Sequence, residues 1–107
     1  MKLNGKKILE HEFMDTFLKK ATGILFKKKI SKAYVFRFKK PRKIGITMMF
    51  VFQKIDLIYV DKGKVVELAS LGPFQHYFPQ NKTKIVIEVP QNTINKHKIK
   101  LGDKITI

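Results

Sequence analysis

The chain has 107 residues, no cysteine and a formal net charge of +15 at pH 7. This length fits one domain, and the lack of cysteine excludes disulfides, thiolate nucleophiles and zinc sites with cysteine ligands. The longest apolar run, residues 44–52, is about half as long as a membrane-spanning helix must be, so no such helix is predicted.

The N-terminal third predicts a strand followed by a short helix. Residues 6–13 alternate loosely between polar and apolar side chains, as a strand does. Asp15 or Thr16 is a suitable N-cap, and Gly23 is placed to end the helix. The first thirteen residues contain basic side chains but no apolar core of a signal peptide, so we expect a cytoplasmic protein.

The middle of the chain predicts two strands. Residues 33–40 show the clearest two-residue period in the chain, and Pro41 is expected to end this strand. Residues 44–52 are apolar on both faces, which is typical of a strand that is covered on both sides or that lines a closed barrel. Three aromatic residues share one face of the first strand: Tyr34, Phe36 and Phe38. That face is either core or, beside basic side chains, a stacking platform for single-stranded nucleic acid, and core is the commoner role.

The C-terminal half predicts a hairpin, a long loop and a second short helix. Strands over 56–60 and 65–69 are joined by a turn at 61–64, and the proline-containing segment 71–83 is typical of a loop. The remaining predicted elements are strands over 85–89 and 104–107, and a short helix from Asn92 or Thr93 through His97. Many short strands at this spacing predict a β-barrel or a sandwich. The fold expected is mainly β: one compact, barrel-like domain over residues 1–107 with mostly antiparallel strands and two short helices.

The order of these segments resembles the uncharacterised family known as domain of unknown function 192. The resemblance covers residues 6–107 and implies a compact, β-rich, barrel-like domain, with no reaction, because the family has none assigned. Thr47 and Phe50 stand where the family usually has Trp and Asn, so any pocket those residues line is altered here. The resembling segments are ATGILF at 21–26, AYVFRF at 33–38, ITMM at 46–49, IDLIYVD at 55–61, GKVVE at 63–67, IVIEVP at 85–90 and GD at 102–103.

A basic tract is the strongest functional signal. Between Thr16 and Ile55 there are twelve Lys or Arg residues and no Asp or Glu. Such a tract predicts a polyanion partner, nucleic acid first among them. Lys greatly outnumbers Arg. This ratio favours a diffuse electrostatic attraction over specific contacts to the edges of bases, which Arg usually makes. The candidate residues are Lys27, Lys28, Lys29, Lys32, Lys39, Lys40, Arg42 and Lys43.

The basic residues fall into two clusters that flank the strand at 33–40. If the strands curl around a barrel, both clusters come within a Debye length of about 8–10 Å. A compositional bias toward Lys is the alternative explanation of the charge, in which case the partner is an unidentified protein. The sequence does not indicate an oligomeric state.

A small-ligand pocket inside the barrel is the alternative function, with Met48, Phe50 and Asp56 as its candidate residues. Asp56 lies among apolar neighbours, so its carboxylate must be hydrogen-bonded or ion-paired if it is buried. It either accepts backbone N–H groups in a structural role or contacts a ligand at the edge of the pocket.

No catalytic residue, metal site or cofactor is predicted. Glu67 and Glu88 each lie in a strand whose apolar residues alternate with polar ones. They would form an acid–base pair only if both side chains faced one cleft. His11, His76 and His97 lack the spacing of metal ligands, and the chain has no glycine-rich phosphate loop. These absences favour a binding module over an enzyme.

Overall fold

The structure, a computed structural model, describes residues 1–14, 30–47 and 53–107. Within these ranges the chain forms ten strands and one short helix. The strands are β1 (Lys2–Leu3), β2 (Lys6–Lys7), β3 (His11–Phe13), β4 (Ala33–Arg42), β5 (Ile46–Thr47), β6 (Ile55–Asp61), β7 (Lys64–Leu71), β8 (His76–Tyr77), β9 (Thr83–Pro90) and β10 (Ile105–Thr106), and the helix is α1 (Thr93–Lys96).

A five-stranded sheet in the order β3-β4-β9-β6-β7 organises the fold. β3 is parallel to β4, and the other neighbours in this sheet are antiparallel. A second, small sheet has the order β10-β1-β2, and β5 pairs with β8. The predicted mainly β, compact fold is therefore confirmed.

The prediction of a barrel-like closed sheet is wrong. β3 and β7 form opposite edges of the central sheet, and in the described part of the chain they do not pair with each other. Closure is one way to protect apolar faces, but here other segments pack on both faces instead, so the sheet stays open.

The two faces of the central sheet bury different side chains. One, which we call the tyrosine face, contains Tyr34, Phe36, Leu57, Tyr59 and Val86, and is covered in part by β5 and β8. The other, which we call the helix face, contains Val35, Ile58, Val60, Ile87 and Val89, and is covered by β1, β10 and α1. Because successive residues of a strand point to opposite faces, strands that are apolar at every position become buried on both sides.

β4 continues through Pro41 to Arg42, contrary to the predicted end at the proline. β3 pairs with residues 33–35 of β4 only, so in the described part of the chain Pro41 has no strand neighbour on the β3 side. On the other side, the pairing with β9 is irregular between Arg37 and Arg42. Proline lacks an N–H, and this irregular, one-sided stretch does not require one.

Other predicted elements differ from those observed. The predicted first strand is divided into β2 and β3, and the long loop contains β8. The described residues contain one helix, α1, and not two, since the segment expected to begin at Asp15 or Thr16 lies outside the described residues. Of the apolar run at 44–52, the structure describes 44–47, where β5 is two residues long. No helix within the described ranges is long and apolar enough to cross a bilayer.

Candidate functional site

Acidic and basic side chains are segregated between the interior and the surface. Four carboxyl groups are buried: Asp56, Glu67, Glu88 and Asp103. Two others are paired on the surface, Glu10 with Lys7 and Glu12 with Lys32. All Lys and Arg residues that the structure describes are exposed, apart from the half-buried Lys32. Apart from the half-buried Asp61, each described side-chain carboxyl group is therefore either buried or paired with a lysine.

Asp56 has a structural role on the helix face. Its Oδ1 accepts a hydrogen bond of 2.8 Å from the Ser70 hydroxyl, and its Oδ2 accepts one of 2.9 Å from the Ile94 N–H in the first turn of α1. Asn92, one of the two residues predicted to begin this helix, is its N-cap and makes no side-chain capping bond. A carboxylate on β6 thus replaces the local cap, so the helix is held against the sheet. The other two candidate pocket residues, Met48 and Phe50, lie outside the described residues.

Glu67 on β7 connects the sheet to the loop at 72–82. Its oxygens accept hydrogen bonds from the Tyr77 hydroxyl, the Gln80 N–H at 3.1 Å, and the Asn81 N–H and Nδ2 at 3.0 and 2.8 Å. Burial raises the pKa of Glu67, but these hydrogen bonds outweigh burial and hold the pKa below its ordinary value. Burial and the Glu67 carboxylate raise the pKa of Tyr77 to about 12. The phenol therefore stays protonated and donates a hydrogen bond to the carboxylate.

Glu88 differs from the other buried carboxyl groups. It lies on β9 between Tyr34 of β4 and Leu57 of β6, on the tyrosine face. Its Oε2 has no hydrogen-bond partner among the described residues, and burial raises its pKa to about 8. Glu67 lies on the same face but on β7, with β6 between the two strands. Glu67 is already committed to the loop, so the geometry does not favour an acid–base pair.

Six exposed cations gather at one end of the β4–β9 pair, which we call the basic end. Arg42 lies opposite Thr83, and the basic residues beside Thr83 on β9 are therefore neighbours of those on and after β4. The Arg42 guanidinium lies 5.1 Å from the centre of the Phe38 ring, which supports the side chain. The basic end consists of Lys39, Lys40, Arg42, Lys43, Lys82 and Lys84.

Lys32 is separated from the basic end. Its ammonium group lies 2.9 Å from a Glu12 oxygen and 5.9 Å from the centre of the Tyr34 ring. An extended strand separates Lys32 from Lys39 by roughly 20 Å, which exceeds a Debye length. The open central sheet lacks the barrel curvature on which the expected meeting of the two flanking clusters depended. The other residues of the Lys32 cluster, 27–29, lie outside the described residues.

The aromatic residues of β4 belong to the core. Tyr34 and Phe36 are buried on the tyrosine face, and Phe38 packs against them. The exposed aromatic residues are instead on the loop at 72–82, where Phe78 is 80% exposed and Phe74 is 55% exposed. Sequence reasoning missed Phe78. The available signal was an aromatic residue inside a proline-containing segment without strand or helix periodicity.

Replacing Asp56 tests its structural role. Asp56→Ala leaves the Ile94 N–H without its acceptor, and we expect the free energy of unfolding to fall by about 2–3 kcal/mol. Ser70→Ala is the matched control, because it keeps the bond to α1, and it should lower stability by about 1 kcal/mol. Urea unfolding measures both. Equal midpoints for Asp56→Ala and the unchanged protein would show that Asp56 does not hold the helix.

Glu88 predicts a pH dependence of stability. The folded protein keeps this proton up to about pH 8, whereas the unfolded chain releases it near the ordinary value of 4.5. The contribution of Glu88 to the free energy of unfolding is therefore fully present below pH 4.5. It decreases as the pH rises to 8, by up to about 1.4 kcal/mol per pH unit. We expect Glu88→Gln to remove this slope in urea unfolding, while Glu10→Gln, at an exposed position, retains it. Identical slopes for Glu88→Gln and the unchanged protein would contradict the prediction.

Comparisons with known proteins place the chain in a family. The sequence profile of domain of unknown function 192, described as "Uncharacterized ACR, COG1430", matches residues 1–107. A protein of the uncharacterised UPF0127 family from Pyrococcus furiosus is 32% identical over 107 residues, which cover 94% of this chain and 90% of that protein.

Two solved structures share the fold. One, of a protein of unknown function from Novosphingobium aromaticivorans, has a TM-score of 0.84 at 20% identity and covers 97% of this chain and 79% of that one. The other, of a Sinorhizobium meliloti protein provisionally named a transcription regulator, has a TM-score of 0.80 at 14% identity and covers 88% and 78%. The matches to the profile and to the archaeal relative show that this chain belongs to the DUF192 family, whose function is unknown.

Proposed function

We propose that this protein is a non-enzymatic binding module whose basic end engages a polyanion, with nucleic acid as the favoured partner. The observation that carries the proposal is the gathering of six exposed cations at one end of two adjacent strands, four on the strands and two directly beside them. Neither 39–43 nor 82–84 contains an acidic residue. Positive charge that is not neutralised within the protein attracts an external polyanion.

The segregation of charge supports this function over catalysis. Lysine ammonium and arginine guanidinium groups attract phosphates, but while charged they do not act as general bases. Two of the four buried carboxylates, Asp56 and Glu67, are used to hold α1 and the loop at 72–82. The basic end is therefore suited to holding an anion rather than to transforming it.

The physical chemistry of phosphate binding sets the expected behaviour. Each neutralised phosphate releases condensed counterions, so the logarithm of the binding constant falls with the logarithm of the salt concentration by about 0.7–0.9 per contact. Six contacts give a slope of about −4 to −5. Lysine-dominated contacts to the backbone carry little sequence information, so we expect weak discrimination among sequences. The Sinorhizobium meliloti neighbour is consistent with a nucleic-acid partner by analogy of fold alone.

A matched pair of charge variants tests the proposal. The first variant replaces four cations of the basic end with Gln: Lys39, Lys40, Arg42 and Lys43. The second replaces four exposed lysines elsewhere: Lys2, Lys6, Lys96 and Lys98. Fluorescence anisotropy with mixed short RNA and DNA oligonucleotides gives affinities over a salt series. At about 150 mM salt we expect the first variant to bind at least tenfold more weakly, with a slope shallower by about 3, and the second to lose less than threefold.

Two results would contradict the proposal. Equal losses in the two variants would mean that the charge acts diffusely and that the basic end is not the site. Affinity of the unchanged protein no better than about millimolar at this salt concentration would exclude nucleic-acid binding as its function.

A further inference from the structure

Phe78 is an aromatic side chain displayed to water. It is 80% exposed, more than any other large apolar side chain in the described part of the chain. Burying a phenylalanine stabilises a fold by about 1.5–3 kcal/mol, and at this position that stabilisation is not obtained. Folding therefore does not explain the aromatic residue at this position.

The backbone on both sides of Phe78 is fixed. The preceding residue, Tyr77, donates its hydroxyl to Glu67, and the following Gln80 and Asn81 donate their N–H groups to the same carboxylate. Pro79 is buried and restricts the conformation of the residue before it. The ring consequently projects from a held segment, and a ligand that contacts it does not have to order the loop first.

Phe78 lies beside the basic end. β8 pairs with β5, which places the ring edge next to Gly45: its Cδ1 and Cε1 lie 3.5 and 3.7 Å from the position that a Cβ of Gly45 would occupy. Lys43 precedes Gly45 by two residues, a span of at most about 7 Å in extended chain. The backbone of one residue of the basic end, Lys43, therefore lies within that span of the residue that the ring contacts.

We propose that Phe78 stacks on an unpaired base while the basic end holds the adjoining phosphates, so that the partner is single-stranded nucleic acid. This inference rests on the proposed function and specifies the class of its ligand. An aromatic ring beside cations matches a single strand, in which every nucleotide offers a base face and a phosphate. The bases of a duplex are stacked on one another, and inorganic polyphosphate has none, so neither can use the ring.

Three probes separate stacking from charge: a short single-stranded RNA, a duplex of the same sequence and inorganic polyphosphate. We expect Phe78→Ala to weaken single-strand binding by about 5- to 100-fold, the range measured for base–aromatic stacking. Binding of the duplex and of polyphosphate should change less than twofold. Phe78→Trp should restore single-strand binding. Leu101→Ala is the control, since Leu101 is also exposed, at 63%, but lies on the turn before β10.

Each alternative gives a different result. Equal weakening of all three probes by Phe78→Ala would mean that the ring only supports the loop, and would overturn the inference. If the unchanged protein binds all three probes equally, stacking is excluded but the polyanion function stands; if it binds none of them, both proposals fail. A dimer in sedimentation velocity that Phe78→Ala dissociates, without loss of RNA binding, would assign the exposed ring to self-association instead.

Discussion

Hydrogen bonds to buried carboxylates hold the short segments of this fold to the central sheet. Asp56 holds α1, Glu67 holds the loop at 72–82, and Asp103 accepts bonds from Lys100 N–H and Asn4 Nδ2, joining the turn before β10 to the turn after β1. Within these segments only the two residues of β8 form a described strand pair, because the segments are too short or irregular for longer ladders. Charge-assisted bonds are stronger than neutral ones, and a buried carboxylate requires them.

This use of the acidic residues determines the character of the surface. Carboxylates that accept backbone donors inside the fold are not available to neutralise lysines outside it, so the basic end stays uncompensated. Unneutralised charge repels itself, and a bound anion relieves that repulsion. The architecture and the proposed function therefore have one origin. Glu88 is the exception, because its Oε2 has no hydrogen-bond partner among the described residues and burial raises its pKa to about 8.

Local patterns in the sequence predicted the strands but not their arrangement. Alternation identified β4, β7 and β9, because side-chain orientation in a strand depends only on neighbouring positions. Whether the sheet closes depends on which segments cover its faces, and that is a property of the whole chain. The apolar neighbours of Asp56 predicted that its carboxylate would be hydrogen-bonded or ion-paired. They could not identify the donor, because Ile94 is 38 residues away in the chain.

The candidate site was predicted in the same partial way. The cations of 39–43 stand out by composition, but Lys82 and Lys84 join them only through the register of β9 on β4. Phe78 gave no periodic signal, and the residues on both sides of it are held by hydrogen bonds to Glu67 on another strand. Loop positions set by a distant carboxylate cannot be predicted from local pattern.

The most direct test of the account is an NMR titration of the 12.5 kDa protein with a short single-stranded RNA at about 150 mM salt. We expect the backbone amide shifts to change at 39–45 and 76–84, with the aromatic resonances of Phe78 moving most. Changes confined to 2–7 and 96–104, which are also basic, would show that charge alone determines where the RNA binds and would contradict the account.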